Sequence, residues 1–529
     1  MTRNRPYGIM LCLSVLTGLS ACSAIGPDFT DPETRVASTW LDGNGTPTKP
    51  QAFRSWWKVF RDPVLDSLVI RAYQQNLDIQ MAGVRLLEAR AQLGIAKGQL
   101  FPQMTNLGMN GGYERLSGES PYYQGFNDYE FPYFQTGFDT AWELDIWGRF
   151  RRGVEASGAQ LTAKTLDYDD LLVTLTAEVA SAYTQIRTFQ QRLALARSNA
   201  DLQERSYRIA ESQYRNGLNT ELDMQQAKSL KQQTTAEIAN LESGLRQSKN
   251  GLCLLLGMQP SHLTLELGNG TDIPSAAGDI HEGIPTDMIR RRPDVRAAQF
   301  RAAEQSARIG IAQSELLPRL TLVGTVSYAT GSFDVIDAMN SLTPSGLAGK
   351  FGPTVTWPIF QFGRLKNNVR AQDAKFQELL IAYQNTVLKA LREVEDALIA
   401  FRKAEQRVSS LEEGVNASRR AANLALRQYQ NGLEDYTRVL NSELLLVQQQ
   451  DKLTASRGEV ARQLIAAYKA LGGGWEIREG KPLVPDATRE VMRERTDWGD
   501  LMNEPASTYF NRQDKPTGNE ESGYFEEIP

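Results

Sequence analysis

Apolar positions stepping by four and three organise most of this chain. One run goes from Leu161, Thr165, Tyr168 and Leu172 to Ala210 and Tyr214; a second goes from Phe376, Leu380, Tyr383 and Val387 to Ala425 and Tyr429. Steps averaging 3.5 residues predict coiled-coil seams. Ala and Ser at many seam positions demand close helix packing. The tripeptide NGL follows each run, at 216–218 and 431–433. Gly217 and Gly432 suit the left-handed conformation that stops a helix, and a second helix restarts within a few residues. Each half therefore contains a long antiparallel helical hairpin, with its tip at Asn216–Leu222 or Asn431–Thr437. A helix of about 65 residues is ~100 Å long, a length suited to bridging two membranes rather than to a compact enzyme.

The other pattern has a period of two. In FQTGFDTAWELDIW (134–147), Phe134, Thr136, Phe138, Thr140, Trp142, Leu144 and Ile146 share one face; Gln135, Asp139, Glu143 and Asp145 share the other. A soluble strand alternates in the same way. Membrane barrels do so with lipid outside and water inside, and Trp142, Trp147, Tyr133 and Tyr129 could form an interfacial aromatic girdle. On that reading Asp139, Glu143 and Asp145 face a lumen. Weaker strand candidates are 103–113, 320–328 and 352–360. Four strands cannot close a membrane barrel, and open edges in lipid leave backbone groups unpaired. The chain is therefore expected to oligomerise, three copies supplying twelve strands.

The two halves are one unit duplicated. AQLGIAKGQLFP (91–102) matches ARIGIAQSELLP (307–318), DIWGR (145–149) matches FQFGR (360–364), and QYRNGL (213–218) matches QYQNGL (428–433), all at an offset of about 215 residues. Each half opens with a helix (roughly 64–100 and 285–316), passes through a strand pair and ends in a long hairpin. The expected class is α+β with a two-fold internal repeat.

The N-terminus carries Arg3 and Arg5, then the apolar IMLCLSVLTGL, too short to span a bilayer, then Leu19-Ser20-Ala21-Cys22. This is a secretory signal whose end resembles the bacterial lipobox, making Cys22 the lipidated first residue of the mature chain. Ser23, where inner-membrane lipoproteins tend to carry Asp, favours the outer membrane. Of the three cysteines, Cys12 leaves with the signal and Cys253 has no partner, so no disulfide or thiolate metal site is expected in the monomer. His262 and His281 are the only histidines, too few for His-based catalysis or metal binding. A net charge of −5 argues against nucleic acid as a partner. No enzyme activity and no cofactor are expected. In IRRRPDV (289–295), Pro293 and Asp294 read as a helix start, with Asp294 on the positive end of the helix dipole, rather than as a ligand site. Glu143 and Asp145 lack any accompanying nucleophile or histidine and read as pore polarity, not as an acid–base pair.

IRRRPDVRAAQFRAA (289–303), LLPRLTLVG (316–324), WELDIWGR (142–149) and AAYKALGGGW (466–475) together resemble the TolC-type trimeric outer-membrane efflux channels, especially the NodT/OprM-like lipoprotein branch. The resemblance covers Cys22 to Trp475. It implies a homotrimer with a twelve-stranded barrel in outer-membrane lipid above a periplasmic α-helical tube. It also implies a membrane-fusion adaptor and an inner-membrane pump, of RND type for preference, docking at the lower end. The domains would be a signal peptide (1–21), a lipidated N-terminal segment (22–63), two efflux repeats (64–284 and 285–475) and a polar tail (476–529), poorly packed or draped outside. The function would be a passive exit duct for small molecules; a type I protein-secretion duct and a lipid-anchored scaffold are the alternatives. In the family an Asp six residues after the first tip Gly bonds a Tyr three residues before the second, closing the resting channel. Asp223 and Tyr429 occupy those positions. Glu434 stands where the family carries an Arg clasp and Asn441 where a pore-lining Asp is usual; Arg438 lies one turn away, within reach of Glu221 or Asp223.

Overall fold

The computed structural model describes residues 24–32, 36, 39–41, 51–116, 129–218, 220–268, 270–275, 289–331 and 346–502. Cys22, His281 and the tail beyond 502 lie outside them. Helices α1 (Pro63–Gln75) and α2 (Leu77–Gly98) lead into strands β1 (Met104–Leu116) and β2 (Tyr129–Glu143). The hairpin α3 (Arg149–Arg215) and α4 (Glu221–Leu255) follows. The second repeat has α5 (Pro293–Ser314), β3 (Arg319–Gly331), β4 (Leu347–Thr356), α6 (Arg364–Gln430) and α7 (Tyr436–Ala470), before α8 (Asp486–Arg495). The duplication is exact in helix length: 22 residues in α2 and α5, 67 in α3 and α6, 35 in α4 and α7.

Local chemistry sets these lengths. Gly148 and Gly363, at φ 76° and 84°, turn the chain into the long helices. At their far ends Leu218 N donates to Gln213 O and Leu433 N to Gln428 O (2.9 Å each), with Gly217 and Gly432 at φ 69°. That is the Schellman stop. Thr220 and Asp435 then accept from the N–H groups of Asp223 (3.4 Å) and Arg438 (3.3 Å), capping α4 and α7. The expected single helix at 64–100 is broken at Asn76. Its side chain caps α2 at Ile79 N (3.0 Å) and donates to Leu255 O (3.0 Å), tying the break to the end of α4.

In the α6 run every seam residue is buried or half-buried; in the α3 run only Tyr214, at the tip, is exposed. α5 packs against both α3 and α6, and α7 packs against α3, so the repeats share one body. The main core lies where α1, α2 and the ends of α4 and α7 surround α3, around Trp56, Leu65, Leu86, Leu172, Val179, Leu252 and Leu471. The segment 476–502 is part of it, contrary to the expectation of a loose tail. Val484, Met492 and Met502 are buried, and Arg478 forms a buried pair with Asp169, Nη2 to Oδ2 at 2.9 Å. The charge of this stretch concealed its spaced apolar anchors. The three-arginine run is structural as well. Arg291 pairs with Glu476, while Arg292 donates to Ala470 O (2.6 Å), Asp294 and Glu393 (both 2.8 Å), fastening the start of α5 to α6 and α7.

The sheet has the order β1-β2-β3-β4, antiparallel throughout. Its register sorts the side chains by chemistry. Leu107, Phe138 and Val326 stand in one row, flanked by Met109, Trp142, Leu322, Phe351 and Val355 on the same face. Asn106, Asp139, Thr325 and Lys350 form a row on the opposite face. Among the described residues no helix is long and apolar enough to cross a membrane.

Candidate functional site

At the far end of the helices all four hairpin arms share a small core: Ala210 of α3, Ala227 of α4, Ala425 and Tyr429 of α6, Tyr436 and Val439 of α7. The heptads converge here, and alanines let the backbones approach. Tyr429 and Tyr436 meet edge to face with centroids 5.3 Å apart. Asp223, Tyr429 and Tyr436 are all buried. Burial, together with the nearby negative charge of Glu443 and Asp223, holds the Tyr436 hydroxyl well above its ordinary range. The fold thus brings Asp223 and Tyr429 into one cluster. Gly217 and Gly432 sit at the exposed tips, with open space where a Cβ would stand.

The other tip residues differ from expectation. Arg438, in the first turn of α7, pairs with Glu434 of the tip loop just before the Asp435 cap (3.2 Å) rather than with Glu221 or Asp223. Glu221 is exposed and accepts from Gln225 (3.5 Å), and Asn441 is exposed on α7. The sequence reading missed Glu443. It is buried, accepts from Ser206 Oγ at 2.8 Å, and burial raises its carboxyl above the usual range. Its signal was present: Tyr436, Val439, Glu443 and Leu446 step by three and four, setting a carboxylate on a seam.

The three acidic residues of 134–147 have three different settings. Asp139 lies on the polar face between Asn106 and Thr325. Glu143 is the last residue of β2 and pairs with Arg149 (3.2 Å). Asp145 lies beyond the strand, accepting from the N–H groups of Phe150 and Arg151 (2.9 Å each), so it caps α3 instead of lining the sheet face. Alternation could not reveal this, because the cap continues the strand's parity. Tryptophans fix both feet of the sheet alike, Trp142 Nε1 donating to Leu100 O and Trp357 Nε1 to Leu316 O, each at 3.1 Å. Among the described residues no His, Cys, Asp and Glu cluster could hold a metal ion.

An apolar-walled sheet on a pair of long hairpins is a wall and a tube, and the profile of the outer membrane efflux protein family matches residues 68–258 and 284–473. The chain belongs to that family. It is 28% identical over 459 residues to Nodulation protein T of Rhizobium leguminosarum bv. trifolii, covering 86% of this chain and 95% of that protein. It is 29% identical over 473 residues to the pyoverdine export outer membrane protein OpmQ of Pseudomonas putida, covering 88% and 97%. The solved outer-membrane channel OprN superposes with a TM-score of 0.79 at 31% identity, covering 85% of this chain and 99% of that one. This efflux protein is a non-catalytic outer-membrane channel. It works as a homotrimer with a periplasmic adaptor and an inner-membrane pump.

Proposed function

We propose that three copies close their sheets into a twelve-stranded barrel in the outer membrane, continued by a helical tube as a passive exit duct for small molecules. The two-faced sheet, whose edge strands β1 and β4 have no partner among the described residues, carries this reading, since lipid tolerates neither open edges nor a polar outer face. The export named for the OpmQ relative supports a small-molecule cargo, delivered by an RND-type pump. Cys22 adds a lipid anchor at the rim. Ile25 N donates to Trp147 O (3.0 Å) and Ala24 packs on Gly148, so the first described residues are fastened at the foot of the sheet. Asp139 faces the lumen. The tip cluster of Asp223 and Tyr429 holds the resting tube shut.

The test is reconstitution into planar bilayers from heat-modifiable, SDS-resistant trimers. Discrete conductance steps are expected from trimers and none from heat-dissociated chains; trimers that conduct nothing, even with the tips opened by mutation, contradict a duct and favour a scaffold. Radiolabelled palmitate should enter the wild-type chain and not Cys22→Ser; no label in the wild type ends the lipoprotein reading.

A further inference from the structure

Among the described residues the sheet leaves two edges, β1 and β4, without a strand partner. The duplication gives a template for what covers them. The β1–β2 pairing recurs in β3–β4 with each residue 215 further on, Leu107 opposite Phe138 becoming Leu322 opposite Pro353. The β2–β3 pairing joins a first repeat to a second repeat inside one chain, and the seam between copies must join a second repeat to a first.

We propose that β4 pairs with β1 of a second copy in the register that β2–β3 prescribes. Moving β2 forward and β3 back by 215 residues sets Lys350 opposite Glu114, Thr354 opposite Asn110 and Val355 opposite Met109 of the second copy, from Gln135–Ala329, Asp139–Thr325 and Thr140–Gly324. This rests on the trimeric-barrel reading and adds the residue-level seam.

Three independent features agree with it. The apolar face of β4, with Phe351 and Val355, continues onto the apolar face of β1, with Met109 and Leu107; a slip of one residue would turn one strand's apolar face to the lumen. A basic residue falls opposite an acidic one, which shifts of two residues in either direction would undo. At the foot of β2, Trp147 seats on the start of β3 and donates from Nε1 to Pro318 O at 2.7 Å. The position 215 residues on is Phe362, 101% exposed and held outward at φ 47°, in a left-handed conformation rare for a side chain of that size. The counterpart of Leu317–Pro318 is Phe101–Pro102, and Phe101 is also exposed. Phe362 of each copy packs on that corner of the next.

Leu144 N donates to Leu320 O (2.9 Å), so in the β2–β3 ladder, and in a seam that copies it, hydrogen-bonded pairs lie on the apolar face and polar-face pairs are the close, non-hydrogen-bonded kind. Such a pair, ~4.5 Å between Cα atoms, admits a disulfide and faces water. The test is Thr354→Cys with Asn110→Cys in the full chain, oxidised mildly in outer membranes and run denatured without reductant. Covalent dimers and trimers should exceed, by about tenfold, those from Thr354→Cys with Gly108→Cys or Gly112→Cys. Preference for a shifted pair, or no cross-link in SDS-resistant trimers, overturns the register. Absence of SDS-resistant trimers in the unsubstituted chain overturns the barrel reading instead. As a second readout, a photo-reactive residue at 362 should label residues 99–103 of another copy; labelling of lipid alone overturns the Phe362 seat.

Discussion

Placing an arginine at Phe138 or at Asp139 should have opposite consequences, although the two are neighbours in sequence. Phe138 stands mid-strand between Leu107 and Val326 and is 47% exposed. On a lipid-facing wall an arginine near the midplane costs about 2–4 kcal/mol. Three-fold repetition makes that about 6–12 kcal/mol per trimer, enough to prevent assembly. Asp139 lies between Asn106 and Thr325 in the row that ends at Lys350, so an arginine there stays in water. It changes the wall by two charges per chain. Phe138→Arg should abolish SDS-resistant trimers in outer-membrane extracts. Asp139→Arg should assemble at wild-type yield and move the reversal potential in a salt gradient toward anion selectivity. Equal assembly of both variants with unchanged selectivity would refute the assignment of the faces.

Other consequences follow from the helical part. Asp223→Ala with Tyr429→Phe removes the polar groups of the tip cluster; at ~1.5–3 kcal/mol for a hydrogen bond to a charged group, repeated three times, single-channel conductance and vancomycin entry should rise, and wild-type values in normal trimers would clear these residues of gating. Arg478→Ala strands the buried Asp169 carboxylate, an expected loss of about 3–5 kcal/mol; an unchanged thermal midpoint would contradict the pairing. Burial, then the charge of Asp294, pushes Asp170 up to about 6, partly offset by Arg292. Because the folded-state value is raised, the neutral acid is tolerated in acid, and stability is lost as pH climbs from the ordinary carboxylate range through about 6. Asp170→Asn should therefore stabilise the fold at about pH 8 by at most about 3 kcal/mol, read as a higher thermal midpoint, and leave the midpoint unchanged near pH 4; an equal gain at both would mean that charge is not the cause.

The periodic and repeated parts of the fold were legible in the sequence. The heptads mark both seams, the paired glycines mark both tips, and the alternation in 134–147 gives the facing of β2. Hidden features were those in which one residue type serves two ends. Asp145 keeps the strand's parity while capping α3, and Asn76 ends one helix and starts the next. The run after Trp475 looks like a solvated tail because its buried residues, Val484, Met492 and Met502, are spaced among charges. Arg438 and Glu434 illustrate another limit: the path of the tip loop just before α7 decided a pairing that the sequence left open. Glu443 was readable as a charge on a seam, but only the structure supplies Ser206 as its partner.

The central claim is that this chain builds a continuous bore from three copies. Electron cryomicroscopy of the purified protein in lipid nanodiscs addresses it most directly. A three-fold particle is expected, with twelve strands inside the lipid disc and a hollow helical tube of ~100 Å below it. A particle with another number of copies, or with its sheets outside the lipid disc, would contradict it.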